Sequence, residues 1–189
     1  MEKILFVDAC VRPESRTRKL AEYLMKRLPG EVEVVDLQRE GVVPLNGAGL
    51  AARDEALSRG DLEDPSLRYA RQFAGADTIV IAAPYWDLSF PALLKSYMEQ
   101  VTAVGVTFAY GPEGRPYGLC RAKRLFYVTT AGGSIFSEEY GYGYIRTLCT
   151  AFYGVPEVPF IKAEGLDVFG ADVEDILAKT KDEIDSIPL

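Results

Sequence analysis

Five short segments rich in apolar residues recur along the chain, separated by polar or turn-forming stretches. The first, at residues 4–7, is continuous and rich in strand-favouring side chains, which predicts a strand buried on both faces. Four further segments rich in strand-favouring residues predict strands at residues 32–37, 78–83, 125–130 and 158–163.

Amphipathic stretches separate these runs, with apolar residues three and four positions apart. Leu20, Leu24 and Leu28 predict one face of a helix over residues 17–28, which ends before a Pro-Gly pair. A second helix is expected before the third strand, because Asp64 is a good N-cap and Pro65 suits the first helical position. Three more helices are predicted over residues 91–101, 138–153 and 171–187.

Alternating strands and helices are typical of a parallel sheet with helices on both faces. Right-handed crossovers restrict such α/β sheets to a few doubly wound topologies, and we expect a five-stranded sheet of order 2-1-3-4-5 with five helices. We expect residues 1–189 to form a single domain.

Two stretches interrupt this alternation. Residues 44–63 are a polar excursion, and residues 106–119 suggest two short extended pieces around a Gly-Pro turn. Each is either a solvent loop or a functional segment such as a dimer arm or a pocket lid, because loops of this length often carry function.

Composition narrows the chemistry that the chain can perform. Histidine is absent, which excludes Ser-His-Asp triads, Cys-His pairs and histidine-based metal sites. The three cysteines lack CxxC spacing, so neither a zinc cluster nor a disulfide framework is predicted. With 28 acidic and 21 basic residues the net charge is −7, which argues against nucleic-acid or anionic-membrane partners. The first apolar run is too short for a signal peptide or a spanning helix, so we expect a cytoplasmic protein.

The loop after the first strand is a candidate anion site, because open parallel sheets bind ligands beyond the carboxyl ends of their strands. This loop leads into a helix, whose unpaired N–H groups and positive dipole end favour a phosphate, and Ser15 and Thr17 add hydroxyl groups. The alternative is an ordinary helix cap with solvated arginines. The loop matches neither the dinucleotide fingerprint nor the Walker pattern. Four basic residues add positive charge here: Arg12, Arg16, Arg18 and Lys19.

Two further loops follow predicted strands. Residues 84–91 contain the single tryptophan, Trp86, among other aromatic residues, which a flat ligand would cover unless neighbouring helices or a partner chain do so. After the fourth strand, Gly132 and Gly133 permit the close approach of a planar ring edge, although paired glycines are also common in turns.

The chain resembles the flavodoxin-like NAD(P)H:quinone oxidoreductase and FMN-dependent azoreductase family in four segments: ILFVDAC…SRTRKLAEYL, IVIAAPYWDLSFPALLKSYMEQV, GVTFAYGPEGRPYGL and LFYVTTAGGS. The likeness covers about residues 3–168 and is weakest through residues 40–65. It implies the doubly wound flavodoxin fold in one FMN-binding domain, and a homodimer with FMN at the interface.

The resemblance also implies roles for individual residues. Ser15, Arg16 and Thr17 would surround the FMN phosphate. The flavin rings and the ribityl chain would be bordered by Tyr85, Trp86, Asp87 and Leu88. The pyrimidine edge of the flavin would be faced by Thr130, Ala131, Gly132 and Gly133. Phe108 and Tyr142 could stack on a flat substrate, with core or interface packing as the alternative for Tyr142.

The function implied is an FMN-dependent NAD(P)H oxidoreductase that passes a hydride through flavin N5 to quinones or azo compounds by a ping-pong mechanism. NADH or NADPH would be the reductant, and the absence of histidine is no obstacle because the flavin carries the electron chemistry. The alternatives are a flavodoxin-type one-electron carrier, which the charge of −7 suits, and a non-catalytic flavin-binding protein. A receiver domain is disfavoured because Asp8 is followed by Ala9 rather than by an acidic residue.

Overall fold

The computed structural model describes residues 1–188, and its centre is a five-stranded parallel sheet. The strands of this part of the chain are β1 (Lys3–Asp8), β2 (Glu31–Asp36), β3 (Thr78–Ala82), β4 (Phe108–Tyr110), β5 (Pro116–Gly118), β6 (Arg124–Thr130) and β7 (Phe160–Ala163). The sheet has the order β2-β1-β3-β6-β7, while β4 and β5 form a separate antiparallel pair. The predicted order 2-1-3-4-5 of the five sheet strands is therefore confirmed.

Six α-helices connect these strands: α1 (Arg16–Met25), α2 (Gly47–Ser58), α3 (Arg68–Gly75), α4 (Ala92–Val101), α5 (Tyr144–Leu148) and α6 (Val173–Ser186). A 3-10 turn capped by Asp64 precedes α3, and π-helical turns extend α5 at both ends, at Glu139–Gly143 and Cys149–Tyr153. Among residues 1–188, no helix has both the length and the apolarity that a membrane crossing requires.

Alternate side chains of the central strands face two separate apolar layers. Leu5 and Val7 of β1 belong to a layer that contains residues of α3, α4 and α5, whereas Ile4 and Phe6 pack with residues of α1 and α6. Burial on both faces explains why the central strands are continuous apolar runs in the sequence. Helices cover both faces of the sheet, as predicted. A ligand therefore has access to the sheet at the ends of its strands, where the loops lie, rather than at its faces.

Residues 44–63 do not form the loop that the sequence suggested. They contain α2, which begins after the N-cap Asn46 and buries only Ala56. With one buried position there is no apolar stripe from which the helix could be predicted. Instead, Arg53 holds α2 in place by donating to two carbonyl groups at the C-terminal end of α4, each at 3.2 Å. The structure therefore has six helices where five were expected.

Residues 106–119 form the two extended pieces that the sequence predicted. Strands β4 and β5 pair around a turn in which Gly114 has a left-handed φ of +72°. At the end of β5, Gly118 lies against the backbone of Tyr153 and Gly154, where a Cβ would overlap main-chain atoms. This contact packs the hairpin closely against the π-helical turn that follows α5.

Candidate functional site

A cavity of about 360 Å³ lies at the carboxyl ends of β1, β3 and β6. All three loops selected from the sequence contribute to its wall, together with a fourth loop that follows β7. This is where the order of the strands reverses, the usual position of ligands in open α/β sheets. Its lining residues are Cys10, Val11, Arg12, Glu14, Ser15, Arg16, Thr17, Pro84, Tyr85, Trp86, Thr130, Ala131, Gly132, Leu166 and Asp167.

The first turn of α1 offers unpaired donors to this cavity. Ser15 is the N-cap, and its Oγ accepts the N–H of Arg18 at 3.2 Å. Within residues 1–188, the N–H groups of Arg16 and Thr17 donate to no protein acceptor. Such groups, combined with the positive end of the helix dipole, make a helix start suitable for binding an anion.

Arg18 does not line the cavity, so the expectation that it adds free positive charge there is wrong. Its guanidinium forms an ion pair with the buried carboxylate of Asp8. It also donates to the carbonyl groups of Cys10, Arg12 and Pro13, at 2.6, 3.1 and 2.9 Å. Every polar contact of this guanidinium is therefore made with β1 or the loop that follows it.

Two hydroxyl groups join the first loop to the third. Thr17 Oγ1 and Thr130 Oγ1 are 2.7 Å apart, and Thr17 is buried. The N–H of Ala131 donates to a carbonyl at the end of β7 at 2.9 Å. By contrast, the N–H groups of Gly132 and Gly133 donate to no acceptor in the described part of the chain. These two glycine amides are unpaired backbone donors on the third loop.

The fourth loop, after β7, was missed by the sequence analysis. Its Asp167 forms an ion pair of 2.8 Å with Arg16, and Arg16 also donates to the carbonyl of Leu166 at 3.4 Å. The carboxylate lies so close to Gly132 that a Cβ there would overlap it. The signal available in the sequence was Gly165, a turn-forming residue two positions after the last predicted strand.

Trp86 reaches the cavity from a tight turn after β3. The backbone N–H of Trp86 donates to the carbonyl of Ser89 at 3.1 Å, and the backbone N–H of Ser89 donates to the carbonyl of Trp86 at 2.7 Å. The intervening residues, Asp87 and Leu88, have left-handed φ angles of +49° and +68°. This conformation costs a non-glycine residue about 1–2 kcal/mol, and such strain clusters at ligand-binding positions. The Ser89 hydroxyl anchors the turn by donating to the carbonyl of Tyr140 at 2.6 Å.

A model of the flavodoxin-like fold matches residues 2–187 of the chain. The chain belongs to this family. It is 39% identical to FMN-dependent NADH:quinone oxidoreductase 2 of Clostridium acetobutylicum, over 95% of this chain and 94% of that protein. It is 36% identical to the FMN-dependent NADH:quinone oxidoreductase of Clostridium beijerinckii, over 97% and 96%. Its fold matches an azoreductase from Bacillus anthracis str. Sterne with a TM-score of 0.83 and 25% identity, over 97% of both chains.

In this flavodoxin-like chain, eight of the predicted site residues line the cavity: Ser15, Arg16, Thr17, Tyr85, Trp86, Thr130, Ala131 and Gly132. Gly133, Asp87 and Leu88 are exposed beside it, on the third loop and on the strained turn. Their contact with a ligand stays a prediction.

Phe108 and Tyr142, the predicted substrate residues, do not line the cavity. Phe108 is buried and packs edge-on against Phe152, with ring centroids 5.0 Å apart. Tyr142 stacks on Phe160 at 4.2 Å, and its hydroxyl donates to the carbonyl of Val158 at 2.8 Å. Within one chain, Tyr142 is therefore a packing residue, which is the alternative that the sequence left open for it. A role in substrate binding stays a prediction for both residues.

Two further side chains at the cavity have distinctive polar groups. Burial and the neighbouring Asp8 raise the pKa of the Cys10 thiol to about 12, so it stays protonated at neutral pH and is no nucleophile. The Tyr85 hydroxyl is buried and has no hydrogen-bond partner among residues 1–188. Because an unsatisfied buried polar group costs about 1–3 kcal/mol, this hydroxyl favours a ligand that supplies a partner.

Proposed function

We propose that this protein is an FMN-dependent NADH:quinone oxidoreductase that also reduces azo compounds. One observation carries the proposal: a single cavity combines the unpaired N–H groups of α1 with the exposed tryptophan of a strained turn. An anionic group and a flat ring system can therefore bind side by side. The clostridial relatives named for this activity are similar over almost the whole chain, which supports one FMN-binding domain spanning residues 1–189.

The first turn of α1 fits a phosphate group. The hydroxyl of Ser15 and the N–H groups of Arg16 and Thr17 supply donors, and Arg12 adds positive charge at the cavity wall. Arg16 also carries positive charge, although its ion pair with Asp167 partly neutralises it. A local arrangement of this kind allows a protein with a net charge of −7 to bind a dianion.

The remaining wall fits a planar ring system. Tyr85 and Trp86 provide aromatic surface, and the unpartnered Tyr85 hydroxyl provides a hydrogen-bonding group. Thr130 and Ala131 border the cavity, and the free N–H groups of the following glycines would donate to the pyrimidine edge of a flavin. Asp87 and Leu88 would border the same ring system from the turn.

When bound, FMN would supply the redox chemistry, which we propose to be ping-pong hydride transfer through flavin N5 between NADH or NADPH and a quinone or azo acceptor. The residues of this chain bind and orient. The amides of Gly132 and Gly133 favour negative charge at the pyrimidine edge, because fixed donors stabilise developing charge without reorganising. Trp86, 38% exposed, offers a flat surface to an aromatic acceptor.

We also propose that the protein acts as a homodimer in the cytoplasm. An open apolar groove lies between α4 and the helical segment around α5, and the hairpin beside it exposes about half of Tyr110 and of Tyr117. Aromatic side chains are enriched at protein interfaces. The cytoplasmic location rests on the three cysteines, which are all free and buried. The residues that line the groove are Leu45, Lys95, Met98, Glu99, Thr102, Tyr144, Leu148 and Phe152.

Visible spectroscopy and steady-state kinetics test the proposal. The purified protein, after incubation with FMN and removal of excess, should show flavin bands near about 370 and 450 nm. With NADH and a quinone it should oxidise NADH continuously, whereas a one-electron carrier or a non-catalytic homologue would oxidise almost none. Failure to retain FMN would overturn the cofactor, and retention without turnover would overturn the enzyme. Light scattering at the mass of one chain would overturn the dimer.

A further inference from the structure

The guanidinium of Arg18 bonds to both the start and the end of the loop between β1 and α1, which forms the part of the cavity wall where we propose that a phosphate binds. Its side chain is 21% exposed, and that of its ion-pair partner Asp8 is 4% exposed. One planar group thus bonds to a carboxylate on β1 and to three carbonyl oxygens within four consecutive residues, 10–13. Asp8 also accepts the N–H of Cys10 at 2.9 Å, so both partners of the ion pair hold the same loop.

These contacts fix the direction of two peptide groups. In a planar trans peptide, the C=O and the following N–H point in opposite directions. Because the carbonyls of Cys10 and Pro13 point to Arg18, the N–H groups of Val11 and Glu14 must point away from it. Val11 and Glu14 both line the cavity, and within residues 1–188 their N–H groups donate to no protein acceptor.

From this geometry we infer that Arg18 is a positioning residue that makes the cavity selective for a phosphate monoester over an uncharged alcohol. It never touches the ligand. It turns loop carbonyls, which would repel an anion, away from the cavity, and leaves the N–H groups of Val11 and Glu14 to add to those of Arg16 and Thr17. The inference rests on the proposed flavin site and predicts that the site distinguishes FMN from riboflavin, which lacks the phosphate.

A lysine cannot replace this guanidinium. Its ammonium group is a compact point charge, whereas the planar fork of arginine presents donors along two edges and can serve a carboxylate and several carbonyls at once. Arg18→Lys therefore keeps the charge and releases loop carbonyls. Arg27 is the matched control, because its side chain is 28% exposed and also bonds to backbone carbonyls, but it does so at the C-terminal end of α6.

The experiment compares dissociation constants for FMN and riboflavin, measured through the fluorescence of Trp86, the single tryptophan at the cavity wall. In Arg18→Lys, we expect FMN affinity to fall about tenfold or more and riboflavin affinity to change less than about threefold, since only FMN uses the loop donors. In Arg27→Lys, the ratio of the two constants should stay within about twofold of the unaltered protein, even if thermal stability falls equally.

Each result has a defined meaning. If the unaltered protein binds neither flavin, both the proposed cofactor and this inference are wrong. If it binds FMN but folded Arg18→Lys keeps the original ratio, the cofactor stands and the inference is overturned. Should Arg18→Lys fail to fold, Asp8→Asn decides, because it retains an acceptor for the Cys10 N–H while removing the charge that holds Arg18. A fall of about threefold or more in the same ratio supports the inference, and an unchanged ratio contradicts it.

Discussion

The two ends of the same sheet are built differently. At the carboxyl end, Asp8 is buried and pairs with the partly buried Arg18, and two non-glycine residues, Asp87 and Leu88, adopt left-handed backbone angles. No other non-glycine residue in the described chain has a positive φ. At the amino end, polar contacts are partly exposed ion pairs such as Arg121 with Asp77, at 2.6 Å. The left-handed residues and the Asp8–Arg18 ion pair thus both lie at the end that has a cavity, which indicates that they serve binding rather than stability.

The largest expected effect concerns the cysteines, where the two ends should behave alike. Burial raises the pKa of Cys10, at the carboxyl end, and of Cys120, at the amino end, to about 12 from an ordinary 9.0. At pH 8 each thiol is then ionised roughly a thousandfold less than a free cysteine, so Ellman's reagent should label neither in the folded protein and both after unfolding. Rapid labelling of Cys10 alone would show that the cavity exposes it.

The same pKa values predict a pH dependence of stability. Because each pKa is higher in the folded than in the unfolded protein, the folded state holds these protons more tightly. The stabilisation is present in full below pH about 9 and is lost as the pH rises towards about 12. The midpoint of urea unfolding should therefore fall above pH 9, and a constant midpoint up to pH 11 would contradict the burial argument.

Next in size is the effect of a negative charge placed at the start of α1. Ser15→Glu puts a carboxylate beside the proposed phosphate, and like charges in contact cost several kcal/mol, so FMN affinity should fall by about a hundredfold. Fluorescence titration measures this loss. Ser15→Ala separates the loss of the helix cap, about 1 kcal/mol of stability, from repulsion.

A matched charge on another element serves as the control. Ser58 is exposed on α2, so Ser58→Glu should leave FMN affinity unchanged. Equal affinities of the Ser15→Glu and Ser58→Glu proteins would remove the anion role from α1.

A smaller effect tests the strain stored in the tryptophan turn. Leu88→Gly removes a Cβ from a left-handed position and should raise the free energy of unfolding by up to about 1 kcal/mol. Leu62 is equally exposed, at 46%, and has no positive φ, so Leu62→Gly should lower it by about 0.5–1 kcal/mol through the unfolded state. Chemical denaturation measures both variants, and a loss of stability in both would show that the turn stores no strain.

The smallest effect is expected at the amino end. Arg121→Gln breaks the ion pair with Asp77, in which the arginine side chain is 63% exposed. Exposed ion pairs contribute about 0–1 kcal/mol to stability, so the free energy of unfolding should fall by no more than this. The affinity for FMN should not change. A change in flavin affinity on this substitution would break the contrast between the two ends.

The predictability of the fold followed burial. The central strands were predicted from their continuous apolar runs because the sheet is covered on both faces, and the helix before β3 was predicted from the N-cap Asp64 and the following Pro65. Helix α2 was missed because a single buried alanine leaves no periodic pattern. Its position depends on distant elements, since Ala56 packs against Leu67 and Ala103, and Arg53 bonds to the C-terminal end of α4.

The three loops of the site were identified because each follows a predicted strand, but the sequence did not show in which direction their side chains point. Arg16 and Arg18 are equivalent as charges after a strand, yet Arg16 lines the cavity and Arg18 bonds to the carbonyls of its own loop. Likewise, nothing in the sequence near residue 132 indicates that a carboxylate from the loop after β7 lies against Gly132. Such contacts join residues far apart in the chain, which local patterns do not encode.

The sequence by itself determined the alternation of strands and helices and the three loops in which a ligand could bind, because hydrophobic periodicity acts locally, and connection rules restricted the strand order to a few topologies. Only the tertiary structure decided which donors remain unpaired at the cavity, which arginine holds the loop and which residues carry strain. Those properties depend on partners brought together from β1, β3, β6 and β7, since a hydrogen bond or an ion pair is defined by geometry between segments rather than by residue type.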